Sequence, residues 1–163
     1  MPDVARTSYA ARLGAVVTVD DLFPLAATTP APFEVAIGEC FDTVTMPRHA
    51  ALEVIDRLAW IRPHPVGAAV GRALTDEWVL ILPPGSGYGM EWGQPADHCA
   101  EGVLVVPPRA AGPDDDLCWA RAGNDEGRVF SAPIPLMCAL LTQPAARRPH
   151  SAAVRTDPTP VRI

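Results

Sequence analysis

The sequence predicts an α+β fold, a single mostly antiparallel sheet with two main helices packed on one face. Three observations predict it. Short apolar runs recur along the chain, and each is stopped by proline, glycine or an acidic turn. Only the stretches after Thr45 and after Ser131 combine helical periodicity with enough length to pack a helix on the core. The 163 residues include 19 prolines, more than twice the roughly 5% of average usage, which excludes long helices.

The elements follow in order. Residues 1–13 are expected to form a short helix with Val4, Tyr9, Ala10 and Leu13 on one side. Residues 24–32, PLAATTPAP, read as a proline-rich linker. The segment 1–32 is therefore expected to be loosely ordered, and the compact domain to span 33–142. Phe33 to Ile37 is expected to be extended. Cys40 to Val44 is a strand candidate in which Phe41 and Thr43 point one way and Asp42 and Val44 the other. A helix then opens, with Thr45 or Met46 as its cap and Pro47 in its first turn. Its buried stripe is expected at Ala51, Leu52, Ile55, Leu58 and Ala59, and Pro63 and Pro65 end it.

Val66 to Leu74 and Trp78 to Leu82 read as a strand pair around the turn at Asp76-Glu77. The second run is almost wholly apolar, as a strand buried on both faces must be. Pro83-Pro84 stop it, since proline cannot donate to a sheet ladder. Gly102 to Val106 is predicted as another buried strand, again stopped by two prolines. Leu117 to Arg121 alternates as a strand, Asn124 to Gly127 is a surface turn, and Val129-Phe130 is expected to extend the sheet. The last helix, Ser131 to Thr142, takes Ser131 as cap and buries Leu136, Met137, Leu140 and Leu141. Residues 143–163 hold four prolines and no apolar periodicity, and are expected to be a disordered tail.

Composition narrows function by exclusion. All 13 basic residues are arginine, the net charge is −6 and the pI about 5.1. An acidic chain is a poor general binder of nucleic acid, because affinity for phosphates comes from positive surface. No apolar run approaches the ~20 residues of a membrane span, and no secretory leader is legible at the N-terminus. A cytoplasmic location without membrane contact is the expectation. Cys40, Cys99, Cys118 and Cys138 form no CxxC pair. They are expected to be reduced, buried thiols.

The series Phe41-Asp42-x-x-x-Met46-Pro47, Leu80-x-Leu82-Pro83-Pro84-Gly85-Ser86-Gly87, Gly102-x-Leu104-x-Val106-Pro107-Pro108, Leu117-x-Trp119 and Pro133-x-Pro135-Leu136 is similar to small actinobacterial proteins of the bifunctional DNA primase/polymerase family. The resemblance spans roughly residues 38–142 and rests chiefly on the order of the paired prolines. It implies a role around DNA replication. Polymerising members of that family hold a divalent metal with paired carboxylates and use a histidine for the nucleotide phosphates. Such a centre needs two hard oxygen ligands on one face of a strand. Here Asp42 is followed two residues on by Val44, and Asp114 and Asp116 lie in an acidic loop. The resemblance thus implies a relative without the catalytic carboxylate motif, which acts by binding a protein partner or nucleic acid. No catalytic residue, metal or cofactor is assigned.

Candidate sites remain. The loop PPGSGYG offers Gly85, Ser86 and Gly87, which with Asp42 could bind a phosphate or other ligand through backbone N–H groups; a nucleotide-dependent enzyme would be seated there. A Walker-type loop would continue with Gly-Lys-Ser/Thr, and Tyr88 and Met90 stand there instead. Tyr88 and Trp92 are candidates for contact with a partner in an interaction module. Trp60, Trp78, Trp92 and Trp119 are read first as core or interface residues, and otherwise as a base-stacking platform. A histidine or second carboxylate beside Asp42 would reopen the question of chemistry.

Overall fold

The computed structural model describes residues 16–142. The expected N-terminal helix and C-terminal tail lie outside them. The elements are α1 (Val19–Leu22), a 3₁₀ turn (Pro24–Ala27), β1 (Phe33–Ile37), β2 (Asp42–Pro47), α2 (Arg48–Arg57), β3 (Ala69–Arg72), β4 (Glu77–Leu82), β5 (Asp97–Cys99), β6 (Gly102–Val106), β7 (Leu117–Arg121) and α3 (Pro133–Leu141). The fold is α+β and its strand pairs are antiparallel.

The expected single sheet is instead two. A five-stranded sheet runs β5-β2-β4-β3-β7, and β1 pairs with β6 alone in a two-stranded sheet. The cause is visible in β4. Val79 and Ile81 belong to one core, Leu80 and Leu82 to another. A central strand apolar on both faces needs a cover on each. Helices α2 and α3 cover one face, through Ala50, Ala51, Val54, Leu58, Leu136, Ala139 and Leu140. The β1–β6 ribbon and α1 cover the other, through Leu104, Val106, Val19 and Phe23.

Strand β6 is accordingly not buried on both faces. Leu104 and Val106 point inward, while Val103 and Val105 are exposed. The segment expected to be loose also contributes to the core. Thr18 caps α1 in a reciprocal box with Asp21, which satisfies two orphan donors of that helix. Val19, Phe23 and Ala26 are each 1% exposed. The Phe23 ring meets Phe41 edge-on at 5.2 Å, a favoured aromatic geometry. Packing therefore begins before Phe33.

Both helices start later than the sequence suggests. Pro47 ends β2 and is the N-cap of α2, with no side-chain cap bond. As the N-cap it stands just outside the helical turns, so its missing N–H removes no bond within the helix. The buried stripe of α2 is Ala50, Ala51, Val54 and Leu58, with Leu52 and Ala59 exposed. Ser131 does not cap α3: Ala132 occupies that place. Ser131 is buried and its Oγ accepts from the Gly67 N–H at 2.9 Å. Leu141, expected inside, is exposed. Arg57 joins the two helices, donating to Thr142 Oγ1 at 3.0 Å and the Ala139 carbonyl at 3.4 Å. A cation there satisfies carbonyls that the end of a helix leaves unpaired.

Val129 is not a strand residue but continues the pairing: Ala68 donates to its carbonyl at 2.9 Å, and its own N–H donates to Val17 at 2.8 Å. None of the four cysteines is fully buried. Cys40 and Cys138 are exposed, Cys99 and Cys118 half-buried, and all are free thiols. Cys138 misses the buried stripe because Ala139 and Leu140 occupy it.

Candidate functional site

The first residue of β2 carries the site. Asp42 stands two residues before Val44 and shares its face of the sheet. Val44 pairs with His98 of β5, so that histidine projects on the same side, diagonal to Asp42. Diagonal neighbours lie within reach of long side chains, and here the reach is used. His98 Nε2–H donates to Asp42 Oδ2 at 3.1 Å. Asp42 is 1% exposed, and its Oδ1 is buried with no hydrogen-bond partner. Nothing in the local sequence announces this contact, which joins residues 56 apart.

The glycine loop closes over the imidazole. A Cβ at Gly87 would stand 2.3 Å from His98 Cε1, so only glycine lets the backbone come this near the imidazole. Trp92 stacks on the same imidazole, with ring centroids 5.9 Å apart and planes 6° from parallel. Its Nε1–H is also buried and unpartnered. Ser86 is buried and donates from Oγ to the Pro83 carbonyl at 2.5 Å.

The structure thus brings Asp42, Gly87 and Trp92 together around His98, and Ser86 is packed into the same loop. Gly85 is exposed with nothing within 4 Å of its Cβ position. Tyr88 is 94% exposed. Sequence reading left His98 out of the site, because the pairing that links β5 to β2 has no signature along the chain. Glycine at position 87, two residues after Gly85, was the available hint of a close backbone approach.

Other candidates separate. Trp78 and Trp92 lie against the helix-side core, Trp119 against the ribbon-side core, and Trp60 is 80% exposed. The four indoles therefore make no single stacking platform. Asp114, Asp115 and Asp116 are exposed, and the Asp115 carboxylate accepts from Gly112 N–H at 2.7 Å. His64 is built into the scaffold, its Nδ1 accepting from Val66 N–H at 3.1 Å and its Nε2 facing the Ile55 carbonyl at 3.2 Å. Those partners fix the Nε2–H tautomer. Among the described residues no three His, Cys, Asp or Glu side chains are grouped to hold a metal ion, and no helix is long and apolar enough to cross a membrane. Clefts of about 330, 490 and 470 Å³ open elsewhere on the molecule, and neither Asp42 nor His98 lines them.

Chemically, a carboxylate and an imidazole in one hydrogen bond form an orienting pair. The carboxylate fixes which ring nitrogen bears a proton. Asp42 is enclosed, with 1% of its side chain exposed, while the His98 side chain keeps 15% of its surface open. No protein-family model, curated protein or solved structure matches the chain.

Proposed function

We propose that this chain is a primase/polymerase-like domain that acts by binding, and not by nucleotidyl transfer. The observation that carries the reading is the state of Asp42. It is the strand carboxylate in the place where the family resemblance would put a metal ligand. It is 1% exposed and bonded to His98, whose imidazole Gly87 and Trp92 cover. A phosphate-bound divalent ion needs several oxygen ligands around an open position. A protein partner is favoured over nucleic acid by the net charge of −6, since general affinity for phosphates needs positive surface. The exposed Tyr88 ring is of a kind enriched at protein interfaces. A primer-extension assay with Mn²⁺ and nucleotides is expected to give no product, and a DNA titration at physiological salt no saturable binding. Template-dependent synthesis overturns the reading; tight DNA binding shifts the partner to nucleic acid.

A second reading, a nucleotide-dependent enzyme seated at Gly85, Ser86, Gly87 and Asp42, draws on one observation, the imidazole of His98 beside that carboxylate. Thermal-shift measurement with nucleotides and divalent metals separates the two. A ligand at a hundred times its Kd adds about 2.7 kcal/mol of stability, and the binding reading expects no such shift.

A further inference from the structure

Most long connections in this fold are tied to its body. The β6–β7 loop is fixed near both ends, where Arg109 N–H donates to the Ala26 carbonyl at 2.8 Å and Ala73 N–H to the Asp116 carbonyl at 2.8 Å. The loop after β7 is fixed by Asn124 Nδ2, which donates to the His64 carbonyl at 2.9 Å, and by His64 N–H, which donates to Asp125 Oδ1 at 2.7 Å. The loop 84–93 has no tie of this kind. Among the described residues, its hydrogen bonds run from Ser86 to Pro83, Tyr88 to Gly85, Met90 to Gly87 and Ala96 to Gly93. Every one of them stays within the loop and its two ends.

Packing alone therefore holds the loop: Gly87 and Trp92 both touch His98, and Trp92 also lies against the helix-side core. In this arrangement Trp92 Nε1 of the loop is buried without a partner, as is Asp42 Oδ1 beside His98. An unsatisfied buried polar atom costs free energy, relieved when water reaches it. Closure is thus held and opposed at the same point. The ends suit a hinge. Gly85 has φ +80° and open space about its Cβ position, and Gly93 meets only the Leu141 side chain at 3.9 Å.

We infer that residues 84–93 form a lid, which lifts from His98 while the five-stranded sheet stays intact and so uncovers the Asp42–His98 pair. The inference stands apart from the binding reading, since a lid can serve a partner or a small ligand. Lifting presents Asp42 Oδ1 as an unoccupied acceptor beside an imidazole. Local opening of this sort is the usual behaviour of segments that guard a site.

The Trp92 indole N–H reports it directly, because that atom meets solvent only when the lid rises. Hydrogen exchange by NMR on the full chain is expected to give this N–H a protection factor about 100-fold lower than the Leu80 and Ile81 amides of β4, with no dependence on low urea. Gly87→Ala, whose Cβ would collide with His98, is expected to lower Trp92 protection about tenfold further and leave β4 unchanged. Equal protection and equal urea dependence of Trp92 and β4 in the unsubstituted protein would sink the lid, whether or not the variant folds. So would a folded Gly87→Ala protein with unaltered Trp92 exchange.

Discussion

At the scale of single residues, the Asp42–His98 bond is the most exacting contact in the molecule. One oxygen of the buried carboxylate is paired with a half-buried imidazole and the other has no partner. Removing His98 leaves a buried carboxylate unsatisfied, and removing Asp42 leaves the half-buried imidazole without its acceptor. His98→Ala and Asp42→Ala are each expected to cost about 2–3 kcal/mol. The double variant should cost less than their sum by about 1–2 kcal/mol, the coupling typical of residues in direct contact. Urea denaturation of the four proteins checks this; strict additivity would mean the bond contributes nothing. Cys99, on the same short strand, faces a different setting. Burial first, and then the Asp97 carboxylate, push its thiol above the ordinary cysteine value, with Arg72 pulling the other way. Less of it is thiolate, which leaves it a poor nucleophile.

At the scale of elements, the loop after β7 shows how a surface turn becomes part of the frame. Asn124 Oδ1 accepts from the N–H groups of Glu126 and Arg128, both at 2.9 Å. Its side chain thus replaces backbone partners inside the turn. The His64 N–H donates to Asp125 and is the leading reason that carboxyl lies below the ordinary aspartate value; the Arg62 guanidinium contributes further down the order. A carboxyl depressed in the folded state adds stability above its unfolded pKa, which is lost as pH falls through the folded one. Asp125→Asn is therefore expected to flatten the loss of stability in the acid range, below about pH 4, while stability at pH 7 decreases. Urea midpoints measured across that range test it. A steeper acid loss in the variant would contradict the assignment. This element also shows a limit of sequence reading. Asn-Asp-Glu-Gly marks a turn on its own, but its tie to His64, 60 residues earlier, has no trace along the chain.

At the scale of the whole molecule, two cores share one central sheet, and the N-terminal stretch closes the second of them. Phe23 lies 1% exposed between Phe41 and Trp119. Phe23→Ala is expected to cost about 3–5 kcal/mol, the range for emptying a packed aromatic site. A chain that begins at Phe33 should lose the cooperative transition, or show a midpoint at far lower urea. A truncated chain as stable as the full one would place the domain boundary back at Phe33. Within 33–142 most elements were legible because periodicity and proline stops act locally; β5 was not, since Asp97–Cys99 lies in a stretch that reads as a polar connector. The cover on the ribbon side was not. Residues 19–27 carry too few apolar side chains in too short a helix for a pattern to stand out.

By itself the sequence determined the order of the main strands and of the two longer helices, the antiparallel pairing, the two-faced burial of β4 and the glycine loop after it. Each follows from residue type and from spacing over a few positions. Only tertiary structure decided that there are two sheets, that residues near the N-terminus belong to the core, and that Asp42 meets His98 beneath Gly87 and Trp92. Those outcomes depend on which strand lies beside which. Register brings residues 42 and 98 onto one face through partners distant along the chain, and hydrophobic patterning records which face of a strand is buried without saying what buries it.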